Sequence, residues 1–178
     1  LSALGKGNWQ NTGGERAKFG LAAGQLLDLV EAIREADCIE WLQLLHFHMG
    51  SQISNLRDIQ NGAREAGRYY AELVADQVPI SMLDIGGGLG VDYEGGRSRT
   101  YCSMNYSMGQ YAHAIVSGLA ELCRDREIAM PDLFSESGRA LTAHHAVLVT
   151  NVTATEEFPR GLEFAISNDS HPVVVNLS

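Results

Sequence analysis

Three short apolar runs, 41–49, 80–85 and 131–136, each break off into glycines or polar side chains, and a stretch of helical period precedes each of them. Leu21 to Asp37 places Leu26, Leu29, Val30 and Ile33 on one stripe. Asn55 to Asp76 opens on a residue suited to an N-cap and buries Ile59, Ala63, Ala66, Tyr70 and Val74, with Pro79 expected to stop it. Tyr106 to Arg124 turns Ile115, Leu119 and Leu122 inward. Strands alternating with helices imply a parallel sheet joined by crossovers. Strands roughly 40–50 residues apart suit either a (β/α)8 barrel or an open doubly wound sheet, and both put their chemistry at the C-terminal strand ends.

The rest of the chain adds limits. Gly5 to Gly14 reads as loop, and His144 to Ala154 reads as one further, long strand. With 178 residues, 45% of them hydrophobic, the chain can build one medium-sized core. A net charge of −9 argues against a nucleic-acid surface, which needs a basic stripe. Cys38, Cys102 and Cys123 are isolated, so neither a zinc knuckle nor a disulfide framework is indicated, and reduced thiols of a cytoplasmic protein are expected. No apolar run reaches the roughly 18 residues of a membrane span. The chain starts on Leu1 and stops just after Val173-Val174-Val175, so a segment of something longer is expected.

The first strand ends in His46-Phe47-His48-Met49-Gly50-Ser51, and alternation puts the two imidazoles on one face. They are either core histidines with satisfied neighbours or groups that meet a ligand. A zinc site of the kind His-x-His strands form would need more His and Asp ligands at other strand ends. His144 and His145 are adjacent and would point opposite ways if extended. The second strand runs straight into Gly86-Gly87-Gly88. Such a run lets backbone approach a ligand and aim N–H groups at a phosphate, or it is only a tight turn. It is not a dinucleotide fingerprint, because Val91 stands where the third glycine would be. The third strand ends in Ser135-Glu136-Ser137-Gly138-Arg139, which offers an acid and an anion binder, or a surface ion pair of little consequence.

Together the three ends are more specific than each alone. Glycines and Arg139 to hold a phosphate, His48 to stack on a ring and Glu136 to face a pyridine nitrogen are the parts of a pyridoxal 5′-phosphate (PLP) site.

The segments HFHMGSQI, LDIGGGLGVDYEG and SESGRALTAHHAVLV resemble the barrel decarboxylases of basic amino acids, the group with the ornithine and diaminopimelate enzymes. GGERAKFGL (Gly13 to Leu21), LQLLHFHMGSQ (Leu42 to Gln52) and the reading ESGR draw it toward the arginine-specific bacterial branch. The resemblance covers about Gly7 to Val152 and implies an α/β fold, part of a PLP-binding (β/α)8 TIM-type barrel of the alanine-racemase kind. It implies residues 1–145 as barrel segment and 146–178 as a strand and connection toward a C-terminal β-rich domain. The implied reaction is L-arginine to agmatine and CO2, feeding putrescine and spermidine synthesis; ornithine, diaminopimelate or a non-catalytic homologue are the alternatives.

Carried over by position, His48 matches the ring-stacking histidine and Ser51 a serine near the cofactor. Gly86, Gly87 and Gly88 match the phosphate loop, Glu136 the pyridine partner, and Gly138 and Arg139 further phosphate contacts. Asp92 and Tyr93 fall on the substrate side of that loop. The resemblance also implies magnesium, for which no ligand set is evident, and a homo-oligomer whose site is shared between protomers. The Schiff-base lysine expected near the start of such a barrel has no convincing counterpart in Lys6 or Lys18, and no Cys-Asp pair occurs. The expectation is a central fragment, inactive alone.

Overall fold

The computed structural model describes residues 19–156. Lys6, Lys18, the Gly5–Gly14 loop and Val173-Val174-Val175 lie outside the described residues. The order is α1 (Ala23–Glu35), a 3-10 turn (Ile39–Trp41), β1 (Leu44–His46), α2 (Leu56–Ala75), β2 (Met82–Asp84), α3 (Met108–Asp125), β3 (Asp132–Phe134) and α4 (Gly138–Thr142). The strands form one parallel sheet in the order β1-β2-β3, with Leu45, Leu83 and Leu133 in register.

Side-chain parity decides which face of the sheet is covered. Leu45, Leu83 and Leu133 point into a core with Ile59, Ala63 and Ala66 of α2 and Ile115 and Leu119 of α3. Helices α2 and α3 also pack on each other. The opposite face carries His46, Asp84 and Phe134 in one register layer, and there Leu44 is 39% and Phe134 48% exposed. A second cluster, Val30, Tyr70, Leu73, Val78, Ile80 and Cys123, closes the core beside α1. In α1 the expected stripe is only partly inward: Val30 is buried, whereas Leu29 is 39% exposed.

Helix starts follow local chemistry. The Asn55 side chain accepts from the Arg57 N–H, and Ser107 with Gln110 forms a capping box at α3. Helix ends are less obvious from composition. Asp37, Gln77 and Glu127 each adopt a positive φ one residue past the cap. After each, an N–H reaches back to the last turn: Cys38 to Ile33, Val78 to Leu73 and Ile128 to Cys123, all near 3 Å. Helix α2 therefore ends at Ala75, before Pro79, because the closure through Gln77 and Val78 already satisfies its last carbonyls.

The chain divides into two units, Leu1–Ala146 and Val147–Ser178. The strand expected over His144–Ala154 is absent. His145 closes a turn onto Thr142, and residues 147–156 have no regular structure, with Val147, Leu148 and Val149 at least 86% exposed. An apolar run becomes a strand only with a neighbouring ladder to pair with, and these residues have none among those described. Of the cysteines, Cys123 is buried and Cys38 and Cys102 are half-buried; all are free thiols. Among the described residues no helix is long and apolar enough to cross a membrane.

Candidate functional site

The strand ends converge because the parallel ladder continues beyond the strands. Phe47 N–H donates to Asp84 O, Ile85 N–H to Phe134 O, Glu136 N–H to Gly86 O and Ile53 N–H to Gly88 O, at 2.9–3.1 Å. Gly86 (φ +66°) and Gly88 (φ +86°) hold backbone conformations that side chains resist. A Cβ on Gly86 would stand 2.4 Å from the Phe47 carbonyl, and one on Gly88 2.0 Å from that of Gly50. On Gly87 it would meet the Glu136 carbonyl at 2.7 Å. The loop is thus wedged between the exits of β1 and β3. No acceptor among the described residues takes the N–H of Gly87 or Gly88, although Gly87 is buried.

Above the loop lies an open cavity of about 210 Å³, lined by His48, Gly50, Ser51, Gly87, Gly88, Leu89, Glu136, Ser137, Arg139 and Ala140. His48, Ser51, Gly87, Gly88, Glu136 and Arg139 of the expected set therefore meet at one place. Gly86 supports it from below, 3.4 Å (by its absent Cβ) from the His48 ring. Arg139 donates to the Ser51 hydroxyl, joining residues 88 positions apart. It forms no ion pair with Glu136, so the surface-pair reading of that motif does not apply. Gly138 begins α4 and is not on the cavity wall.

Asp92 and Tyr93 sit apart from this cavity. One Asp92 oxygen accepts from the Ser103 hydroxyl and the other from the Arg97 N–H, while Tyr93 donates its N–H to the Cys102 carbonyl and is 54% exposed. The Ser103 hydroxyl, opposed by desolvation and helped by the N–H groups of Arg97, Gly96 and Gly95, holds the Asp92 carboxyl below its ordinary value. Asp92 fastens its own loop.

Several supporting partnerships carry no signature in the sequence. His46 Nδ1 lies 2.9 Å from Asp84 Oδ2, and Asp84 Oδ1 accepts from the Gly86 N–H at 2.9 Å. A ring nitrogen of His46 and carboxylate oxygens of Asp84 and Glu136 lie within 4.8 Å of one another, the one such His/Cys/Asp/Glu group among the described residues. The two histidines thus divide: His48 faces the cavity, and His46 pairs with a carboxylate. Tyr106, buried, donates to Ile53 O at 2.6 Å and accepts from Gly90 N–H at 2.9 Å. Burial pushes its hydroxyl above the usual range, with the Gly90 N–H pulling back. Burial likewise raises Tyr111, against the hydroxyls of Ser135 and Ser137. The alternation rule signalled the histidines, but only the register of β1 on β2 brings His46 to Asp84.

The donor set fits PLP. A guanidinium, a hydroxyl and two unpaired backbone N–H groups suit a phosphate, and an imidazole and a carboxylate suit a protonated pyridine ring.

Comparison with known proteins agrees. Residues 3–143 match the family described as pyridoxal-dependent decarboxylase, pyridoxal binding domain. The biosynthetic arginine decarboxylase of Marinobacter nauticus is 60% identical over 92% of this chain and 25% of its own length. That of Alkalilimnicola ehrlichii is 54% identical over 99% of this chain and 28% of its own. The chain thus spans about a quarter of the length of these relatives. Among solved structures, the Campylobacter jejuni biosynthetic arginine decarboxylase superposes with a TM-score of 0.64 at 33% identity, over 69% of this chain and 21% of that one. A Helicobacter pylori diaminopimelate decarboxylase (I148L mutant) complexed with L-lysine gives 0.54 at 25% identity, over 71% and 28%. The three-stranded sheet is accordingly part of a (β/α)8 barrel, which decides between the two fold classes left open by strand spacing.

Proposed function

This chain belongs to the pyridoxal-dependent decarboxylases, and from that premise we propose that it is the cofactor-holding segment of an enzyme converting L-arginine to agmatine and CO2 for polyamine synthesis. One observation carries the reading of the site: a single cavity gathers His48, Ser51, the glycine loop, Glu136 and Arg139 from three consecutive strand exits. The choice of arginine is supported by the 54% and 60% identities to biosynthetic arginine decarboxylases.

Bound PLP supplies an electron sink for the pair left on Cα when CO2 departs. Each residue has a separate task around it. Arg139, Ser51 and the N–H groups of Gly87 and Gly88 bind the phosphate through charge-assisted and backbone hydrogen bonds. His48 packs on the ring and fixes its plane. Glu136 accepts from the pyridine N–H and keeps that proton in place, because a carboxylate stabilises the cation it faces. Gly138, the first residue of α4, is assigned a further contact to the phosphate. We further assign Asp92 and Tyr93 to the substrate side, residues 146–178 to a connection toward a β-rich domain, and magnesium to the whole enzyme as an accessory ion. The whole enzyme is a cytoplasmic homo-oligomer whose site is completed across protomers, and it contacts neither nucleic acid nor membrane.

The test uses the full-length protein that contains this segment. Agmatine should form from arginine in preference to products from ornithine or diaminopimelate. Glu136→Gln should lower kcat more than it weakens PLP binding. Equal loss of both, or turnover of ornithine ahead of arginine, rejects the corresponding part of the assignment.

A further inference from the structure

The His46–Asp84 pair lies on the open face of the sheet, off the cavity wall, and none of the tasks above uses it. Its connections are specific. The Asp84 carboxylate is held on both oxygens, one on the Gly86 N–H and one on His46 Nδ1, each at 2.9 Å. Asp84 is acceptor-only when ionised, so Nδ1 carries a proton and the ring orientation is set. Asp84 is also the less exposed partner, with its side chain 16% exposed against 44% for His46. The Glu136 carboxylate completes the group within 4.8 Å. A ring with one nitrogen pinned by Asp84 therefore stands beside the very carboxylate assigned to the pyridine nitrogen. Two carboxylates that close repel, and Asp84 is turned to its own donors, the His46 Nδ1–H and the Gly86 N–H, which leaves the imidazole standing between it and Glu136.

We propose that His46 is a positioning residue for Glu136: pinned by Asp84, its imidazole holds the Glu136 carboxylate in the orientation that faces the pyridine nitrogen. Asp84 serves twice in this arrangement, fixing the His46 ring and tying the first glycine of the phosphate loop. The phosphate end and the pyridine end of the site are thereby joined through one carboxylate. The inference rests on Glu136 being the pyridine partner. A metal ion is the other conceivable occupant of this trio, but it would draw Glu136 away from the ring, so the two uses exclude each other.

The experiment is a double-mutant cycle in the full-length holoenzyme: wild type, His46→Ala, Glu136→Gln and the pair. It reads kcat, KM for arginine, the PLP dissociation constant and the cofactor absorption spectrum. His46→Ala should lower kcat about tenfold, the lower end of what losing the partner behind a ligating side chain costs. KM and the PLP dissociation constant should stay within about threefold, because the phosphate contacts are intact. The absorption maximum should shift in the direction seen for Glu136→Gln. In the double mutant the His46 change should add less than about twofold, since the two act as one unit. His46→Asn, which keeps an N–H for Asp84, should recover part of kcat. If His46→Ala lowers the melting temperature, His46→Leu, nearer in volume, replaces it in the cycle. Independent, multiplicative losses with an unshifted spectrum overturn the positioning role while leaving Glu136 in place. A Glu136→Gln enzyme with wild-type kcat and spectrum removes the site reading itself, and this inference with it.

Discussion

Gly88→Ala isolates the glycine loop from the rest of the site. At φ +86° an alanine carries a backbone penalty of roughly 1–3 kcal/mol. Its Cβ would stand 2.0 Å from the Gly50 carbonyl oxygen, and a backbone atom cannot swing aside as a side-chain tip can. Relief requires the exit of β1 and the loop to part, which endangers the Ile53 N–H to Gly88 O hydrogen bond, itself worth about 1 kcal/mol net. The sum is about 3 kcal/mol, or two decades in an equilibrium constant. Gly95→Ala is the control: it has φ +70° but nothing within 4 Å, so it carries the backbone penalty alone. Titrating full-length protein with PLP by absorbance should show Gly88→Ala binding at least about tenfold more weakly, with Gly95→Ala within about threefold of wild type. Equal affinity for Gly88→Ala and wild type would mean that the loop does not hold the phosphate.

Other changes test separate parts. Arg139→Ala should weaken PLP binding by about 1.5–3 kcal/mol, a charge-assisted contact, and Arg139→Lys should recover only part of it; unchanged PLP titrations in both would remove Arg139 from the site. Tyr106→Phe removes the hydroxyl that serves both the Ile53 carbonyl and the Gly90 N–H, so at roughly 1–3 kcal/mol per buried group left short of a partner the unfolding free energy from denaturant titration should fall by at least about 1 kcal/mol. Asp92 has a folded-state pKa below the ordinary 3.8, so its contribution is complete above that value and is lost as pH falls through the depressed one. Amide exchange of residues 92–103 should accelerate below about pH 4, and Asp92→Asn should abolish that acid step.

What the sequence made legible was local or alternating. Helix starts at Asn55 and near Tyr106 came within a residue or two of the observed ones, because a capping side chain sits beside the turn it satisfies. Helix ends were harder. Gln77 has no turn signature, and the left-handed closure there depends on Val78 finding the second core cluster. Residues 144–154 look like a strand in sequence and form none, since an apolar run does not reveal whether a partner ladder exists. At the site, the rule that chemistry gathers at strand ends was enough to bring His48, Gly87, Gly88, Glu136 and Arg139 to one cavity. The partnerships beneath them were not visible. Asp84 meets His46 across 38 residues and Asp92 meets Ser103 across 11, and no spacing rule predicts either pairing.

The same contrast separates two kinds of surface around the cavity. The groups assigned to the cofactor hang on backbone that continues the parallel ladder: Glu136 N–H on Gly86, Ile53 N–H on Gly88 and Ile85 N–H on Phe134. Such positions are ordered before any ligand arrives, which lowers the entropic cost of binding. Residues 92–103 are built differently, from side chains of the loop itself: Asp92 on Ser103 and Arg97, Thr100 on Glu94, and the Ser98 N–H on Ser103. A change there should leave the ladder intact. Tyr93, 54% exposed and with only its N–H tied to Cys102, is the natural probe. Tyr93→Ala should leave PLP affinity within about twofold while raising KM for arginine, the signature of a group that meets substrate and not cofactor. Weaker PLP binding at unchanged KM would place the loop on the cofactor side and undo the division.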